Sequence, residues 1–561
     1  MLSSWTVADA AHLSKVLSKV LSKVLSKVLS KVLSKVLSKV LFTTVCLSCV
    51  SLLMLAAVVA LYRITFHPLA RVPGPKLAAI SSLWYARNIV QGNMVKLGLE
   101  LHRKYGDIVR VGPNELWFNT TEAFDQIYCT GKGELEKSDF YLATALSRPH
   151  VDWRLEAHFP DTLDLLSERS MKRYRLQRRL IGRAYSAANM LKHESAVDST
   201  LAVAIKRLVE LDGQEVDLKE WMHILTVECL GAAVLSWSPG MFRDGTDWGT
   251  LTHSYQGWRR KSLFGVFPTM KKLEQWSPDL GRIFASWWGV VYKTPKDFRP
   301  FFPNVNRLVI RRIKAITRPK SRKPQRDGRA DLLGDLIQLH KDKPEFNENY
   351  LRKMAVTNFG AGHETMASTL TSAVAMIASH DTVQRRLTQE VRTTTEALVY
   401  ANSHRLAYTK AAIREAMRLH PVVAMSLPRK TPPTGLHVHG LSVPPHTTVG
   451  CSPIALHRKE EIFGAEQDSY EPCRWLGAEM EGRSIREMEK YSLNWGGGSR
   501  SCPGRNLAEL IVFKTIAALF ANFDVKVSVP EDAHKEAYFL FMLSGVRVRF
   551  LPRAFEDDEE S

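Results

Sequence analysis

The sequence predicts a mainly α fold with a minor β-sheet, preceded by one transmembrane helix. Apolar residues recur at three- and four-residue spacing over long stretches, whereas strict alternation is confined to short pieces. Near the N-terminus stands a run of 23 residues without a charge, residues 40–62; other apolar runs, such as 511–523, are interrupted by charge or too short to span. With 45% of residues hydrophobic, global disorder is excluded.

In chain order, residues 13–40 repeat the unit Leu-Ser-Lys-Val seven times in tandem. A period of four against 3.6 residues per turn advances each residue type by about 40° per copy, so no fixed face results. The segment reads as a helical low-complexity expansion without an assigned role, with anionic-lipid binding as the functional alternative. It carries seven of the lysines behind a net charge of +20, which lowers the case for a nucleic-acid partner to +13 spread over the rest of the chain. Residues 40–62 would span about 34 Å as a helix, enough for a hydrocarbon core of roughly 30 Å. Arg63-Ile64-Thr65-Phe66-His67-Pro68 comes next in place of a small-residue cleavage site, so the run is an anchor rather than a signal peptide. Cys46 and Cys49 fall inside it and read as apolar. Pro68, Pro73, Gly74 and Pro75 make a stiff hinge. The expected division is a repeat-bearing segment 1–39, an anchor 40–62, a hinge 63–76, one large domain 77–555 and an acidic tail 556–561.

Within that domain, helical periodicity marks residues 168–185, 196–211, 350–379, 382–398, 409–419 and 506–522. Alternation marks strands at 108–111, 116–119, 436–438, 447–451 and 546–550, and the basic, proline-bearing stretch 318–329 reads as a surface loop.

The seven cysteines show no disulfide framework, but Cys502 has special surroundings: Trp495-Gly496-Gly497-Gly498-Ser499-Arg500-Ser501-Cys502-Pro503-Gly504-Arg505, directly before a helix. Glycine amides, a helix N-terminus, Arg500 and Arg505 would all favour a thiolate. A phosphate loop is excluded because no Lys-Ser/Thr ends the turn and no strand precedes it.

The order Trp495, Gly498, Arg500, Cys502, Gly504, Ala508 resembles the heme-binding signature of the cytochrome P450 superfamily, with Trp495 where Phe is usual. Three further motifs agree with it. Glu415-Ala416-Met417-Arg418 resembles the family's Glu-x-x-Arg, and Tyr470-Glu471-Pro472-Cys473-Arg474-Trp475 the segment whose arginine, here Arg474, completes a buried triad with Glu415 and Arg418. Gly360-Ala361-Gly362-His363-Glu364-Thr365 resembles the helix that crosses the heme, opens a groove for dioxygen and delivers protons through an acid–alcohol pair, here Glu364 and Thr365. A mid-helix Thr can also simply bond back to the preceding turn. His363, His437 and His439 are read as core or solvent residues. The resemblance implies heme b (iron protoporphyrin IX), with Cys502 as axial iron ligand and Trp495, Gly498 and Gly504 shaping its loop. It further implies that Arg500, Arg429 and Arg178 hold the propionates; Arg178 and its neighbour Arg179 are interchangeable here, and Tyr174 stands where the family has Trp or His. The match extends from His67-Pro68-Leu69 to the C-terminus and is similar to membrane-bound fungal members.

The resemblance implies a P450 fold and a monooxygenase that inserts one oxygen atom of O2 into a small apolar substrate, in specialised metabolism of the terpenoid, polyketide or alkaloid kind. Two alternatives stand beside it: a heme-thiolate isomerase or dehydratase that does not use O2, and a non-enzymatic, basic, membrane-tethered binding protein. No flavin or nicotinamide motif is present, so electrons come from outside and a reductase must dock; the resemblance implies an NADPH-dependent cytochrome P450 reductase, with cytochrome b5 as an optional second donor. Arg483, Arg486, Lys490 and Arg505 offer a basic face for it, or an ordinary solvated cluster. Seven of the 13 tryptophans lie between Trp221 and Trp288, suggesting entry of an apolar substrate from the membrane side, though core packing explains aromatics equally. The family topology is a single pass in the endoplasmic reticulum membrane with a cytosolic catalytic domain, against which the seven lysines ahead of the span pull by the positive-inside rule.

Overall fold

A computed structural model describes residues 7–129, 135–147, 149–292, 294, 296–317, 330–477, 484–530 and 534–553. The basic stretch 318–329, the tail 556–561 and Arg483 lie outside the described residues. The chain forms two compact units, residues 1–70 and 71–561.

In the first unit a single helix, Val7–Thr65, runs through both the repeat and the uncharged segment without a break. Six repeat serines, Ser18 to Ser38, donate to the carbonyl of the lysine three residues back, at 3.0–3.4 Å. The Leu and Val side chains of the repeat from Val16 onward are exposed, as the absence of a fixed apolar face requires.

The second unit is built on the helix Glu348–Ala378, whose N-terminus is capped by the Asn347 side chain accepting from the Tyr350 amide. It is buried nearly all round in its C-terminal half, and so it runs through the core rather than along the surface. It packs lengthwise on Leu218–Leu235, and also on Phe302–Thr317, Ala407–Leu419 and Arg505–Asn522. The remaining helices predicted from periodicity occupy Met171–Ile181, Glu194–Val209 and Asp381–Thr393. The first begins later than periodicity suggested because Ser170 caps it, accepting from the Arg173 amide. The last stops short because β-branched Thr393 and Thr394 give way to extended backbone.

The largest sheet has five strands in the order Ile108–Gly112, Glu115–Phe118, Thr448–Cys451, Arg429–Lys430 and Glu136–Lys137. A second sheet joins Phe523–Ser528, Arg547–Pro552 and Val216–Asp217. The two-residue strands escaped sequence reading because alternation needs more residues to register.

Candidate active site

The cysteine loop is closed by its own backbone. The Cys502 amide donates to Trp495 O at 2.7 Å and the Ser501 amide to Gly498 O at 3.2 Å, directly ahead of the helix Arg505–Asn522. Gly498 sits at φ +57°, and a Cβ there would lie 1.9 Å from Tyr128 O. One on Gly497 would lie 2.7 Å from Tyr128 Cβ. These glycines therefore admit the end of the helix Thr121–Tyr128 against the loop. A Cβ on Gly504 would stand 4.0 Å from Cys502 Sγ.

Cys502 is half-buried. Burial pushes its thiol up from the ordinary value, while the Gly504 amide, Arg178 and Arg505 pull it down without prevailing. Arg178 and Arg505, with the Gly504 amide, are the groups that favour the charged sulfur here. The Arg500 guanidinium instead donates to Glu168 O at 2.6 Å and Arg169 O at 2.7 Å, and lies over the Tyr174 ring. Tyr174 in turn donates its hydroxyl to Ser499 O at 3.1 Å. Of the two interchangeable arginines, Arg178 is the half-buried one that acts on Cys502 and Tyr174; Arg179 is exposed. Trp495 lies beneath Arg505.

Arg429 is buried, donating to Leu427 O and Pro428 O. A third cation, Lys137, joins it and was missed by sequence reading; its Nζ donates to Leu166 O at 2.6 Å and Leu165 O at 3.2 Å. Burial, then Arg429 and Arg500, hold the Lys137 ammonium well below its ordinary value, and burial and Arg429 bring Arg500 down to about 10. Among the described residues no carboxylate lies within ion-pair distance of Lys137, Arg429 or Arg500. Asp164 and Glu168 act on Lys137 from further off without restoring it, and clustered cations of this kind call for a closer counter-anion. A doubly anionic group beside the cysteine loop would supply it, so the residues present fit a heme with its two propionates.

On the long helix, residues 360–365 are helical throughout. Glu364 is buried, its Oε2 accepting from Trp258 Nε1 at 2.6 Å; burial raises its carboxyl above the usual range, against Trp258, Lys261 and Ser254. Thr365 Oγ1 donates back to Ala361 O at 2.7 Å, the local bonding open to any mid-helix Thr. Glu364 and Thr365 thus turn to different partners. His363 meets His223, while His437 and His439 face Ser442, Thr120 and Glu122 at the surface.

Glu415 receives Arg418 through two bonds of 2.7 and 2.8 Å, Arg474 Nε at 3.2 Å and Trp475 Nε1 at 2.9 Å. Arg418 also donates to the carbonyls of His457, Gln467 and Ser469, so its positive charge is held inside by backbone as well as by Glu415. The basic face is partly spent: Lys490 pairs with Asp125 and Arg505 with Glu509, leaving Arg486 exposed.

Fold and site together define a heme-thiolate protein. The chain belongs to the cytochrome P450 family, whose model, described as Cytochrome P450, matches residues 72–546. It is similar to cytochrome P450 monooxygenase sdnT of Sordaria araneosa, 52% identical over 537 residues, covering 91% of this chain and 96% of that one. It also resembles pisatin demethylase of Fusarium vanettenii, 26% identical with 88% and 92% covered. Fusicoccadiene 8-ol C-16-hydroxylase of Phomopsis amygdali is 27% identical with 88% and 90% covered. The protein is a heme-thiolate monooxygenase, an oxidoreductase that incorporates oxygen from O2; the oxygen-independent and the binding-protein alternatives are not favoured. Family membership brings with it a heme iron, a redox partner and an apolar substrate, and the N-terminal apolar helix suggests membrane anchoring.

Proposed function

We propose that the enzyme hydroxylates, epoxidises or otherwise oxidises an apolar intermediate of specialised metabolism, using heme b. Relatives named as a hydroxylase and a demethylase support that reaction class. The observation that carries the site assignment is the cluster of buried Lys137 and Arg429 with half-buried Arg500: among the described residues no carboxylate lies within ion-pair distance of them, Asp164 and Glu168 acting only from further off, and the cluster couples electrostatically to Tyr174 beside Cys502.

In this reading Cys502 is the axial iron ligand, seated in the loop that Trp495, Gly498 and Gly504 shape. Arg500, Arg429 and Arg178, with Lys137, take the propionates. Bound heme supplies the activation of dioxygen. The chain's own part is to exclude water and move protons: Glu364, whose carboxyl burial makes a weaker acid, is the proton donor, and Thr365 orients the proton's path with its lone pairs. Glu415, Arg418 and Arg474 form the structural triad. Electrons come from an NADPH-dependent cytochrome P450 reductase, with cytochrome b5 as a second donor. Residues 40–62 anchor the protein by a single pass in the endoplasmic reticulum, the domain 77–555 being cytosolic where that reductase is reached. The exposed Trp276, Ile283, Trp287 and Val291 support contact of this domain with lipid.

Reduced protein under carbon monoxide should show the red-shifted Soret band of thiolate ligation, lost in Cys502→Ser; an unshifted wild-type band refutes the ligand assignment. Product formation should stop without dioxygen or NADPH. Protease treatment of sealed microsomes should digest the catalytic domain, and protection would reverse the topology.

A further inference from the structure

A row of buried titratable groups ends at Glu364. Asp247 Oδ2 lies 3.0 Å from His223 Nδ1, His223 Nε2 lies 3.1 Å from His363 Nδ1, and His363 Nε2 lies 4.0 Å from Glu364 Oε1. The groups come from three places in the fold: the turn before the helix Thr250–Val266, the helix Leu218–Leu235, and the long central helix. All four side chains are buried. Burying two imidazoles nitrogen to nitrogen is costly unless a proton lies between them, because two facing lone pairs repel.

The row has a fixed sense. Asp247 also accepts from the Gly249 amide at 2.8 Å and the Leu251 amide at 3.0 Å. Burial raises its carboxyl, but the bonds from His223 and those amides outweigh it, so Asp247 stays ionised. A carboxylate only accepts, and His223 therefore carries hydrogen on Nδ1. Phe301 and Phe302 stand edge-on to His363 at 5.4 and 5.6 Å, closing it from water. The other charged or titratable groups acting on the row are Lys261, on both His363 and Glu364, and Tyr255 beside Glu364.

We propose that His223 and His363, ordered by Asp247, hold one proton in reserve for Glu364. The proposal rests on the reading of Glu364 as proton donor, and it makes the two histidines positioning residues for that donor. In the loaded state His223 carries hydrogen on both nitrogens, its charge balanced by Asp247, and His363 presents Nε2–H toward Glu364. When Glu364 gives up its proton, the Nε2 proton of His363 passes to Glu364 Oε1 as the Nε2 proton of His223 passes to His363 Nδ1. Two protons each move one place, no electrons move, and the positive charge of the pair cancels the carboxylate. The 4.0 Å between His363 Nε2 and Glu364 Oε1 closes as the Glu364 carboxyl turns, a motion that shifts Oε2 on Trp258 at the same time. One proton from solvent refills the pair between turnovers.

The test uses the full-length, heme-loaded chain with a flavin reductase, NADPH and dioxygen as the only substrate. Dioxygen consumption is measured from about pH 6 to 9, where an imidazole reserve empties, in light and heavy water. His223→Gln keeps an amide that donates and accepts but takes up no extra proton. It should lower the rate on the alkaline side by about tenfold or more and change the solvent isotope effect, with the ferric heme spectrum intact. A profile and isotope effect equal to wild type overturn the reserve. Glu364→Gln separates the two ideas: if it is slow and His223→Gln is not, only the reserve falls, whereas a fast Glu364→Gln removes the donor itself. Should His223→Gln fail to load heme, 15N-histidine spectra of the wild type decide. One proton taken up by the pair as pH falls supports the reserve, and two rings neutral over the whole range overturn it.

Discussion

Lys137 stands directly across a two-residue strand pair from Arg429, two buried cations in register on neighbouring strands. Like charges placed so are destabilising unless an anion joins them. The pairing therefore makes the protein's stability depend on what it binds. Lys137→Met should raise the melting temperature of heme-free protein by a few degrees and speed heme release by about tenfold. Thermal unfolding of the heme-free chain and heme transfer to an acceptor globin measure the two halves; a variant that releases heme no faster than wild type leaves Lys137 outside the propionate set.

Glu364 makes stability pH-dependent with a definite sign. Its folded carboxyl holds the proton above the unfolded value of 4.5, so in the window above that value the unfolded chain releases a proton that the folded chain keeps. Stability is full below that window and is lost as pH rises through it. Glu364→Gln should cancel this loss, and the variant should gain on wild type between acid and neutral pH in urea titrations.

The buried triad has the opposite logic. Removing Glu415 strands Arg418 and Arg474 in the interior, and Glu415→Leu should cost about 3–5 kcal/mol, enough to prevent folding of a marginal domain. Arg474→Met leaves the two bonds between Arg418 and Glu415 and should cost less. Denaturant midpoints of the two variants test the order.

Two glycines of the cysteine loop should behave differently. Gly498→Ala puts a Cβ into the Tyr128 carbonyl at a positive φ and should abolish heme incorporation. Gly504→Ala meets only the Cys502 sulfur at van der Waals distance and should fold, displacing the Soret maximum instead.

Much of the fold and site was legible in the sequence because it rests on local pattern. The helices Ala407–Leu419 and Arg505–Asn522 announce themselves by periodicity, and Cys502 by its glycines. Lys137 and the pair His223–His363 were not legible, since each acquires meaning only from a partner far along the chain: Arg429 for the first, residues 140 apart for the second. The partners of Arg500 were not legible either, since the loop turns its side chain toward the carbonyls of Glu168 and Arg169, more than 300 residues away in sequence.

The tandem segment leaves the helix Val7–Thr65 indifferent to copy number. Each copy lengthens the rod by about 6 Å and rotates the downstream end of the helix by about 40°, and no stripe exists to fall out of register. Gain or loss of copies by replication slippage is a change of reach, from about 50 Å for the segment ahead of residue 40, and not of fold.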